Sequence, residues 1–220
     1  ERRRRGRRAS VTLNPAAVVG TRMSDADGME GLEVTECTRC AALVESRSRI
    51  VDGDGPADAD VLFVGEAPGE YEDEEGVPFV GRSGDVLDDE LRDAGLPRAD
   101  IRITNCVRCR PPENRDPSGE ELANCRPYLE REIELVDPEV VVTLGKVPGE
   151  HLLGRDVAVT SEAGSVERVE LGGQRREVLI CLHPAATLYD ASQREAFTET
   201  IERAATMAGE SSGQSQLGEF

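Results

Sequence analysis

Hydrophobic residues in this chain form short continuous runs, separated by longer stretches with helical spacing. Apolar runs bounded by polar turns are typical of strands buried on both faces of a sheet. Four such runs predict buried strands, at Val61 to Val64, Ile101 to Ile103, Val140 to Leu144 and Val178 to Leu182. Because helical patterns alternate with these runs, the sequence predicts an α/β fold: a three-layer α/β/α sandwich with a mainly parallel central sheet.

Capping residues predict where the intervening helices begin and end. Ser83 is expected to cap a helix that ends near Gly95, since serine favours the first cap position and glycine the last. Ser118 and Glu121 have the spacing of a capping box, and Pro127 should either kink the helix that follows or mark its true start. A last helix is predicted over residues 192–207.

Three polar loops follow the predicted strands. They are "GEAPGEYEDEEGVPFVGRSG" at residues 65–84, "TNCVRCRPPENR" at residues 104–115 and "HPAATLYD" at residues 183–190. Ligands of such folds bind at the carboxyl ends of the strands, where these loops leave the sheet. A loop as rich in carboxylates and glycine as the first is not built for packing, so the functional site is expected at this edge.

The two ends of the chain differ in composition from its middle. Residues 1–30 are predicted to be a disordered extension, residues 31–208 a single domain and residues 209–220 a flexible tail. The extension contains an arginine block at residues 2–8, interpreted either as a DNA-binding arm or as the result of a start codon placed upstream of Met23. Neither a signal peptide nor a membrane-spanning run is evident, so a cytoplasmic protein is expected.

The charge balance is strongly acidic. Acidic residues outnumber basic ones by 44 to 26, and Lys146 is the only lysine. A large net charge keeps a protein soluble at high salt, so this balance is typical of a halophile. The alternative interpretation is an ordinary acidic protein from a GC-rich genome, which also favours arginine over lysine.

Six cysteines in a chain expected to be intracellular indicate metal binding or catalysis rather than disulfides. The sequence contains two C-x-x-C pairs, Cys37/Cys40 and Cys106/Cys109, with 65 residues between them, whereas zinc ribbons separate such pairs by about 15–20 residues. Cys125 offers another fourth thiolate, 15 intervening residues after Cys109. On spacing alone, zinc and an iron–sulfur cluster both remain open.

Taken together, these motifs resemble one known family. The three loops above, the spacing from Cys109 to Cys125 and the histidine after a strand are similar to the family 4 uracil-DNA glycosylases, iron–sulfur enzymes of the uracil-DNA glycosylase superfamily. The resemblance extends from Cys37 to about Tyr189, roughly 70 % of the chain, with the motifs in the same order. Each motif alone is weak, but four in order at matching spacings are highly specific.

The resemblance implies a [4Fe–4S] cluster on four of the six cysteines. The implied ligands are Cys37, Cys40, Cys109 and Cys125. Cys106 then stands as a small apolar replacement beside Asn105, and Cys181, inside a predicted strand, is interpreted as a core residue. The cluster is expected to be structural, pinning the N-terminal segment and the second loop near the DNA.

The resemblance also implies roles for residues that extract a base, recognise it and break its glycosidic bond. Phe79 is expected to stack on the extruded uracil. Asn105 can accept a hydrogen bond from uracil N3–H while donating one to O4, whereas cytosine would present mismatched groups. His183 is expected to stabilise the negative charge that develops on uracil O2 as the bond breaks.

Four further residues of the first loop belong to this implied site. Gly65 and Ala67 are expected to contact the substrate, and Ala67 stands where another branch of the superfamily has a water-orienting aspartate. Glu66 is assigned to catalysis through its contacts rather than as a general base. Glu72 corresponds to a position that blocks the 5-methyl group of thymine.

The predicted contacts with the DNA backbone are polar residues of the first two loops, and the predicted wedge is apolar. Arginine, serine and asparagine side chains can bind phosphates, especially near a helix N-terminus. The candidates are Arg82, Ser83, Arg108, Arg110, Asn114 and Arg115. Leu188 is expected to fill the gap left by the flipped base.

The sequence therefore predicts a monofunctional uracil-DNA glycosylase that initiates base excision repair. It is expected to be monomeric and nucleoid-associated, to act on uracil-containing DNA and to work with downstream repair proteins. A non-catalytic or redox-sensing iron–sulfur DNA-binding protein is the alternative, and an unrelated α/β nucleotide-binding protein with a zinc site is a third hypothesis.

Overall fold

The computed structural model describes residues 28–214, which contain a five-stranded sheet in the order β4-β3-β5-β7-β6. The three neighbouring pairs from β4 to β7 are parallel, and β6 is antiparallel to β7. A separate two-stranded hairpin, β1 and β2, precedes the sheet. The strands are β1 (Met29–Glu30), β2 (Glu33–Val34), β3 (Val61–Gly65), β4 (Arg102–Asn105), β5 (Val140–Leu144), β6 (Val166–Leu171) and β7 (Gln174–Cys181).

Helices connect the strands and cover both faces of the sheet. Short 3-10 turns at Arg98–Asp100, Pro112–Asn114 and Ala191–Gln193 join some of them. The α-helices are α1 (Ala41–Ser46), α2 (Glu70–Glu75), α3 (Arg82–Asp93), α4 (Gly119–Val136), α5 (Lys146–Leu153), α6 (Val159–Glu162), α7 (Pro184–Tyr189) and α8 (Arg194–Gln214).

Alternating side chains of the central strands build two hydrophobic cores. Phe63 of β3 packs in one core with Leu87 of α3 and Ile201 of α8, whereas its neighbour Leu62 packs in the other with Ile133 of α4. Successive residues of a strand point to opposite faces of the sheet, so an entirely apolar strand serves both cores. The predicted three-layer α/β/α fold with a mainly parallel sheet is confirmed.

The strand predictions fail where a strand is exposed on one face. β3 and β5 lie where the apolar runs predicted them, while β4 extends to Asn105 and β7 begins earlier, at Gln174. β6 was not predicted, because its sequence "VERVEL" alternates polar with apolar residues and never forms a continuous apolar run. A strand paired on one edge and exposed on one face does not need such a run.

One of the helix-start predictions is wrong and one is confirmed, while Pro127 falls on one side of its two alternatives. Gly81, not Ser83, is the N-cap of α3, and Ser83 is the second residue of the helix. Gly81 has φ +84°, which only glycine adopts readily, so the turn into α3 requires glycine there. Ser118 and Glu121 form the predicted capping box of α4, whereas Pro127 lies inside that helix rather than at its start.

The predicted ends of the domain also shift. Residues 29–30 of the predicted extension form β1, and α8 continues through residues 209–214 of the predicted flexible tail. The arginine block at residues 2–8 and residues 215–220 lie outside the described residues. Within residues 28–214, no helix is long and apolar enough to cross a membrane.

A buried ion network joins α4 to the end of the sheet. Glu132 of α4 has no exposed side-chain surface, and its two oxygens accept hydrogen bonds from Arg102 Nε at 2.6 Å and from Arg108 Nη2 at 2.5 Å. Arg108 also pairs with Asp52 at 2.9 Å. Arg102 donates to the carbonyl oxygens of Gly53 and Gly55 at 3.1 and 2.7 Å, so the segment before β3 is held against β4.

This network corrects the assignment of Arg108 to the DNA backbone. Its side chain is 2 % exposed and bound to two carboxylates, so it cannot reach a phosphate. Its neighbours Glu132 and Asp52 keep the guanidinium charged, and the pKa of Arg108 is raised by them against the opposing effect of burial. Arg108 is therefore a structural residue of the interior.

We expect Glu132→Gln to lower the free energy of unfolding by about 3–5 kcal/mol, because it leaves the buried guanidinium of Arg102 without a charged partner and that of Arg108 with Asp52 alone. Urea denaturation followed by circular dichroism measures the loss. Glu134→Gln is the matched control two residues along α4: its pair with Arg131 is exposed, and such pairs contribute at most about 1 kcal/mol. Equal losses in the two variants would contradict the role given to the network.

Candidate active site and cysteine cavity

Three strands bring the candidate residues together at their carboxyl ends. Gly65 ends β3, Asn105 ends β4, and these two residues are paired in the parallel register of the strands. His183 follows β7 by two residues and is the N-cap of α7. The strands run parallel, so all three residues lie at the same edge of the sheet.

Gly65 allows two of the candidate side chains to approach the sheet closely. A Cβ atom at this position would lie 2.4 Å from Asn105 Oδ1 and 2.4 Å from Phe79 Cε2. Those distances are far below van der Waals contact, so no larger residue fits without displacing the amide or the ring. The predicted substrate residues Gly65, Phe79 and Asn105 thus share one compact site.

Phe79 is held in an unusual backbone conformation. Its φ of +55° is uncommon for a bulky residue and is often found at functional sites. Arg98 stabilises this conformation by donating from Nη1 to the Phe79 carbonyl oxygen at 3.1 Å. The ring is 6 % exposed and lies 5.8 Å from the His183 ring, centroid to centroid, at an interplanar angle of 36°.

The hydrogen bonding of His183 determines which ring nitrogen carries the proton. Nδ1 accepts a hydrogen bond from the backbone N–H of Ala185 at 3.2 Å. In the neutral ring the proton is therefore on Nε2, which is left as a donor. Burial lowers the pKa of His183 below its ordinary value, so this neutral donor form predominates at neutral pH.

Glu66 lies directly after β3, beside the carboxylate of Asp116. Burial and the negative charge and hydrogen bonding of Asp116 raise the pKa of Glu66 to about 7. Its backbone carbonyl accepts from the Val107 N–H at 3.2 Å, which ties the first loop to the second. Near neutral pH the Glu66 side chain is therefore present in both the neutral and the charged form, and Ala67 follows it half-buried in the loop.

One carboxylate oxygen of Glu72 caps the N-terminus of its own helix, α2. Its Oε2 accepts a hydrogen bond from the Gly69 N–H at 3.0 Å, in the capping box of α2. Burial raises the pKa of its carboxyl group. This bond holds the Glu72 carboxylate in place within the first loop. The sequence predicted a substrate contact for Glu72 from its position in that loop.

The predicted DNA contacts fall into two groups. Arg82 and Ser83 lie in the first turn of α3; Arg82 is exposed and forms no ion pair with any described residue. Leu188, on α7 five residues after His183, is 38 % exposed. These three side chains are free to meet a ligand.

The other predicted DNA contacts already have partners inside the protein. Arg110 donates from Nε to Asn114 Oδ1 at 2.7 Å and lies 3.6 Å from the Glu70 carboxylate. Arg115 donates both guanidinium nitrogens to the Glu121 carboxylate, at 2.7 and 2.8 Å, and lowers the pKa of Glu121 to about 2. A phosphate would have to compete with these carboxylates.

A second candidate site is a small cavity, open to solvent, beside α1 and α4. Four cysteines line it: Cys37, Cys40, Cys109 and Cys125. The other two cysteines are fully buried elsewhere, Cys106 in the core beneath α4 and Cys181 in the core beneath α3 and α8. The cavity thus contains the four cysteines that the resemblance selected as ligands.

Side-chain N–H groups of Arg47 and Asn124 donate hydrogen bonds to two of these sulfur atoms. Arg47 Nη1 donates to Cys109 Sγ at 2.8 Å, and Asn124 Nδ2 donates to Cys40 Sγ at 3.5 Å. Burial raises the pKa values of the Cys40, Cys109 and Cys125 thiols, that of Cys125 to about 12, while the Arg47 contact opposes this effect at Cys109. Donors of this kind favour thiolates, the form that binds metals.

Four thiols around one open cavity are a donor set for a metal centre, since both zinc and iron–sulfur clusters bind four cysteines. Among residues 28–214, no three His, Cys, Asp or Glu side chains are already arranged to hold a single metal ion.

Three residues of these sites were missed at the sequence level. Arg47 contacts Cys109, Arg98 supports Phe79, and Asp116 faces Glu66. Arg47 and Asp116 contact residues about fifty or more positions away in the chain. No local spacing could have identified these contacts.

Comparison with known proteins shows that this chain is similar to the uracil-DNA glycosylases. A family model described as "Uracil DNA glycosylase superfamily" matches residues 53–205. The type-4 uracil-DNA glycosylase of Archaeoglobus fulgidus is 37 % identical over 80 % of this chain and 90 % of its own length. The type-4 enzymes of Thermotoga maritima and Saccharolobus solfataricus are 41 % and 39 % identical, each over 78 % of this chain and over 88 % and 81 % of their own lengths.

We expect His183 to titrate below 6.5 and to carry its proton on Nε2 when neutral, because burial disfavours the imidazolium and Ala185 N–H occupies Nδ1. Histidine ¹⁵N NMR across the acidic and neutral range measures both properties. His151 is the only other histidine, with a pKa lowered to about 4, and His151→Gln assigns the two sets of signals. A pKa above 6.5, or an Nδ1–H tautomer, would contradict this description of the site.

Proposed function

This chain belongs to the uracil-DNA glycosylase superfamily, and we propose that it flips uracil out of DNA and hydrolyses its N-glycosidic bond, as a type-4 enzyme that initiates base excision repair. The observation that carries the proposal is the convergence of Phe79, Asn105 and His183 at one edge of the sheet. Their side chains are suited, respectively, to stacking on the base, reading its edge and stabilising the leaving group.

Base recognition rests on Asn105 and Phe79. Uracil stacked on the Phe79 ring would present its Watson–Crick edge to the Asn105 amide, which accepts from N3–H and donates to O4. Gly65 would form the floor of this pocket, since a side chain there would fill the space between the amide and the ring, and Ala67 is assigned to the substrate as its neighbour in the loop. Glu72, fixed by its bond from Gly69, is assigned to exclude the 5-methyl group of thymine.

Bond cleavage leaves negative charge on the base and positive charge on the sugar. The Nε2–H of His183 would donate to uracil O2 and stabilise the departing anion without transferring its proton, as an oxyanion-hole donor does. Glu66, when ionised, would stabilise the oxocarbenium-like sugar that water then attacks. With its pKa near 7 the ionised fraction of Glu66 rises through neutral pH, so this contribution increases with pH there.

DNA would lie across the edge of the sheet. Arg82 and Ser83, at the N-terminus of α3, would hold a phosphate, and Leu188 would fill the gap in the base stack. Arg110, Asn114 and Arg115 would exchange their present partners for phosphates. The bidentate bond of Arg115 to Glu121 makes Arg115 the weakest of these assignments.

We further propose that the cysteine cavity holds a [4Fe–4S] cluster on Cys37, Cys40, Cys109 and Cys125. Four thiols around one cavity and the N–H donors to two sulfur atoms support it. When bound, the cluster would crosslink the N-terminal segment, the second loop and α4. Because the second loop begins beside Asn105, the crosslink would also hold the loop next to the base-reading residue. The proposed role of the cluster is therefore structural.

Four predictions from the sequence stay predictions: a monomer, a nucleoid-associated protein, downstream repair proteins as partners, and an origin at high salt. The alternative, a non-catalytic or redox-sensing DNA-binding protein, has no support in the comparisons. Release of free uracil from single-stranded, U·G and U·A oligonucleotides by the purified protein is the deciding experiment. Intact iron and DNA binding without uracil release would favour the alternative.

We expect Asn105→Asp to lower uracil excision by about 5- to 150-fold, the cost of one mismatched buried polar contact of about 1–3 kcal/mol. The aspartate replaces the donor to O4 with an acceptor that could instead bind the cytosine amino group. Preference for uracil over cytosine should therefore narrow or reverse. The measurement is excision from matched oligonucleotides that contain uracil or an unpaired cytosine.

His183→Ala is the control for that experiment. It removes the donor to O2, which uracil and cytosine share, so excision should slow without a change in which base is preferred. Circular dichroism checks that both variants are folded. Wild-type activity and selectivity in Asn105→Asp would remove Asn105 from the site.

We expect Cys109→Ala and Cys125→Ala to lose iron and visible absorbance, while Cys106→Ala and Cys181→Ala keep both. The first pair lines the cavity and the second pair packs in the two cores. Iron content per chain and the absorption spectrum are the measurements. Loss of iron in Cys106→Ala would instead favour a site made by the two C-x-x-C pairs.

A further inference from the structure

One guanidinium bridges the two chain segments that form the cysteine cavity. Arg47 Nη1 donates to Cys109 Sγ at 2.8 Å, and Arg47 Nη2 donates to the Cys37 carbonyl oxygen at 2.7 Å. Cys37 and Cys109 are 72 positions apart in the chain. Arg47 thus connects the N-terminal C-x-x-C pair to the second loop through its side chain alone.

The short helix α1 explains how Arg47 reaches this position. Cys40 is the N-cap of α1 and Arg47 is its C-cap, so the helix carries the chain past the cavity and ends beside it. Leu43, 2 % exposed, anchors the helix and lines the same cavity. Because both ends of α1 lie at the cavity, the Arg47 side chain can return to it.

The contact of Arg47 with sulfur differs from the other polar contacts around the cavity. The Asn124 bond to Cys40 Sγ is longer, 3.5 Å, and comes from a neutral group. Arg39, the other arginine at the cavity, lies over the Tyr128 ring and donates to the Asn124 carbonyl oxygen. The bond from Arg47 to Cys109 Sγ is thus short and charge-assisted.

Such a bond acts on the electronic state of a thiolate ligand. A cationic donor withdraws electron density from sulfur and stabilises the more negative of two charge states more strongly. Hydrogen bonds to the sulfurs are among the factors that set the reduction potential of an iron–sulfur centre. A donor at Cys109 should therefore raise the potential of a centre bound there.

We propose that Arg47 is a positioning residue of the cysteine site that locks the N-terminal cysteine pair against the second loop and raises the reduction potential of the cluster. This inference rests on the [4Fe–4S] cluster proposed above. According to this proposal, the Arg47 side chain both slows the loss of iron and stabilises the reduced state of the cluster. Arginine suits this role because its planar fork reaches the two acceptors from separate nitrogens at a fixed spacing, whereas all the donors of a lysine share one nitrogen.

The experiment compares three variants of the full chain, purified with iron under anaerobic conditions. Arg47→Gln removes the charge and the fork, and Arg47→Lys keeps the charge but loses one of the two bonds. Arg49→Gln is the matched control, because Arg49 lies two residues along the same segment, is exposed, and donates to the Glu75 carbonyl oxygen rather than to a cysteine. The readouts are the rate of iron loss to a chelator and the reduction potential from an EPR-monitored titration.

We expect Arg47→Gln to lose iron about 10- to 100-fold faster than the wild type, the effect of removing a contact around a metal ligand. Its reduction potential should move to a more negative value. Arg47→Lys should lose iron faster but shift the potential less, and Arg49→Gln should match the wild type in both properties. The reduction potential distinguishes an electronic effect of Arg47 on the cluster from a mere loosening of the N-terminal cysteine segment. Loosening alone would accelerate iron loss without moving the reduction potential.

Two results would overturn the inference. One is an Arg47→Gln protein whose iron retention and potential equal those of Arg49→Gln; the other is an equal shift of the potential in both variants, which would mean a general effect of surface charge. If Arg47→Gln holds too little iron to titrate, the potential of Arg47→Lys decides. Wild-type protein without iron would overturn the cluster and this inference together, while uracil release by the wild type tests the enzymatic activity separately.

Discussion

The buried ion network around Glu132 is the constraint on which both sites depend. Glu132 pairs with Arg102 at the start of β4 and with Arg108 in the loop after it, and Arg108 pairs with Asp52 as well. These buried pairs fix the geometry of the four side chains, because separating Glu132 from Arg102 would leave an unpaired charge in the interior. The strand that ends at Asn105 and the loop that carries Cys109 are therefore held at a defined position against α4, the helix that carries Cys125.

The proposed base pocket and the cysteine cavity are consequently connected through a short, hydrogen-bonded stretch of backbone. Beyond the end of β4, Cys106 N–H and Val107 N–H donate to the carbonyl oxygens of Gly65 and Glu66, at 2.9 and 3.2 Å. These bonds continue the strand pairing into the loops and leave little freedom between Asn105 and Cys109. A displacement of the loop that carries Cys109 would thus be transmitted through the backbone to Asn105, in the proposed base pocket.

The sequence predicted the parts of this structure that depend on local pattern. Continuous apolar runs located β3 and β5, and the spacing of Ser118 and Glu121 located the start of α4, because burial on two faces and helix capping are short-range requirements. The same logic failed for β6, which is exposed on one face. It also failed at Ser83, because the turn before α3 required a positive φ at Gly81 and not a side-chain cap.

By itself, the sequence determined the fold class, the family and the set of residue types that the chemistry requires. Only the tertiary structure decided which of these residues are available. Arg108 and Arg82 look alike in sequence, yet one is buried between carboxylates and the other is exposed at a helix start. Arg47 gained a role through a partner 62 positions away. Contacts between distant residues depend on the tertiary arrangement of the whole chain, and neither local residue spacing nor composition specifies that arrangement.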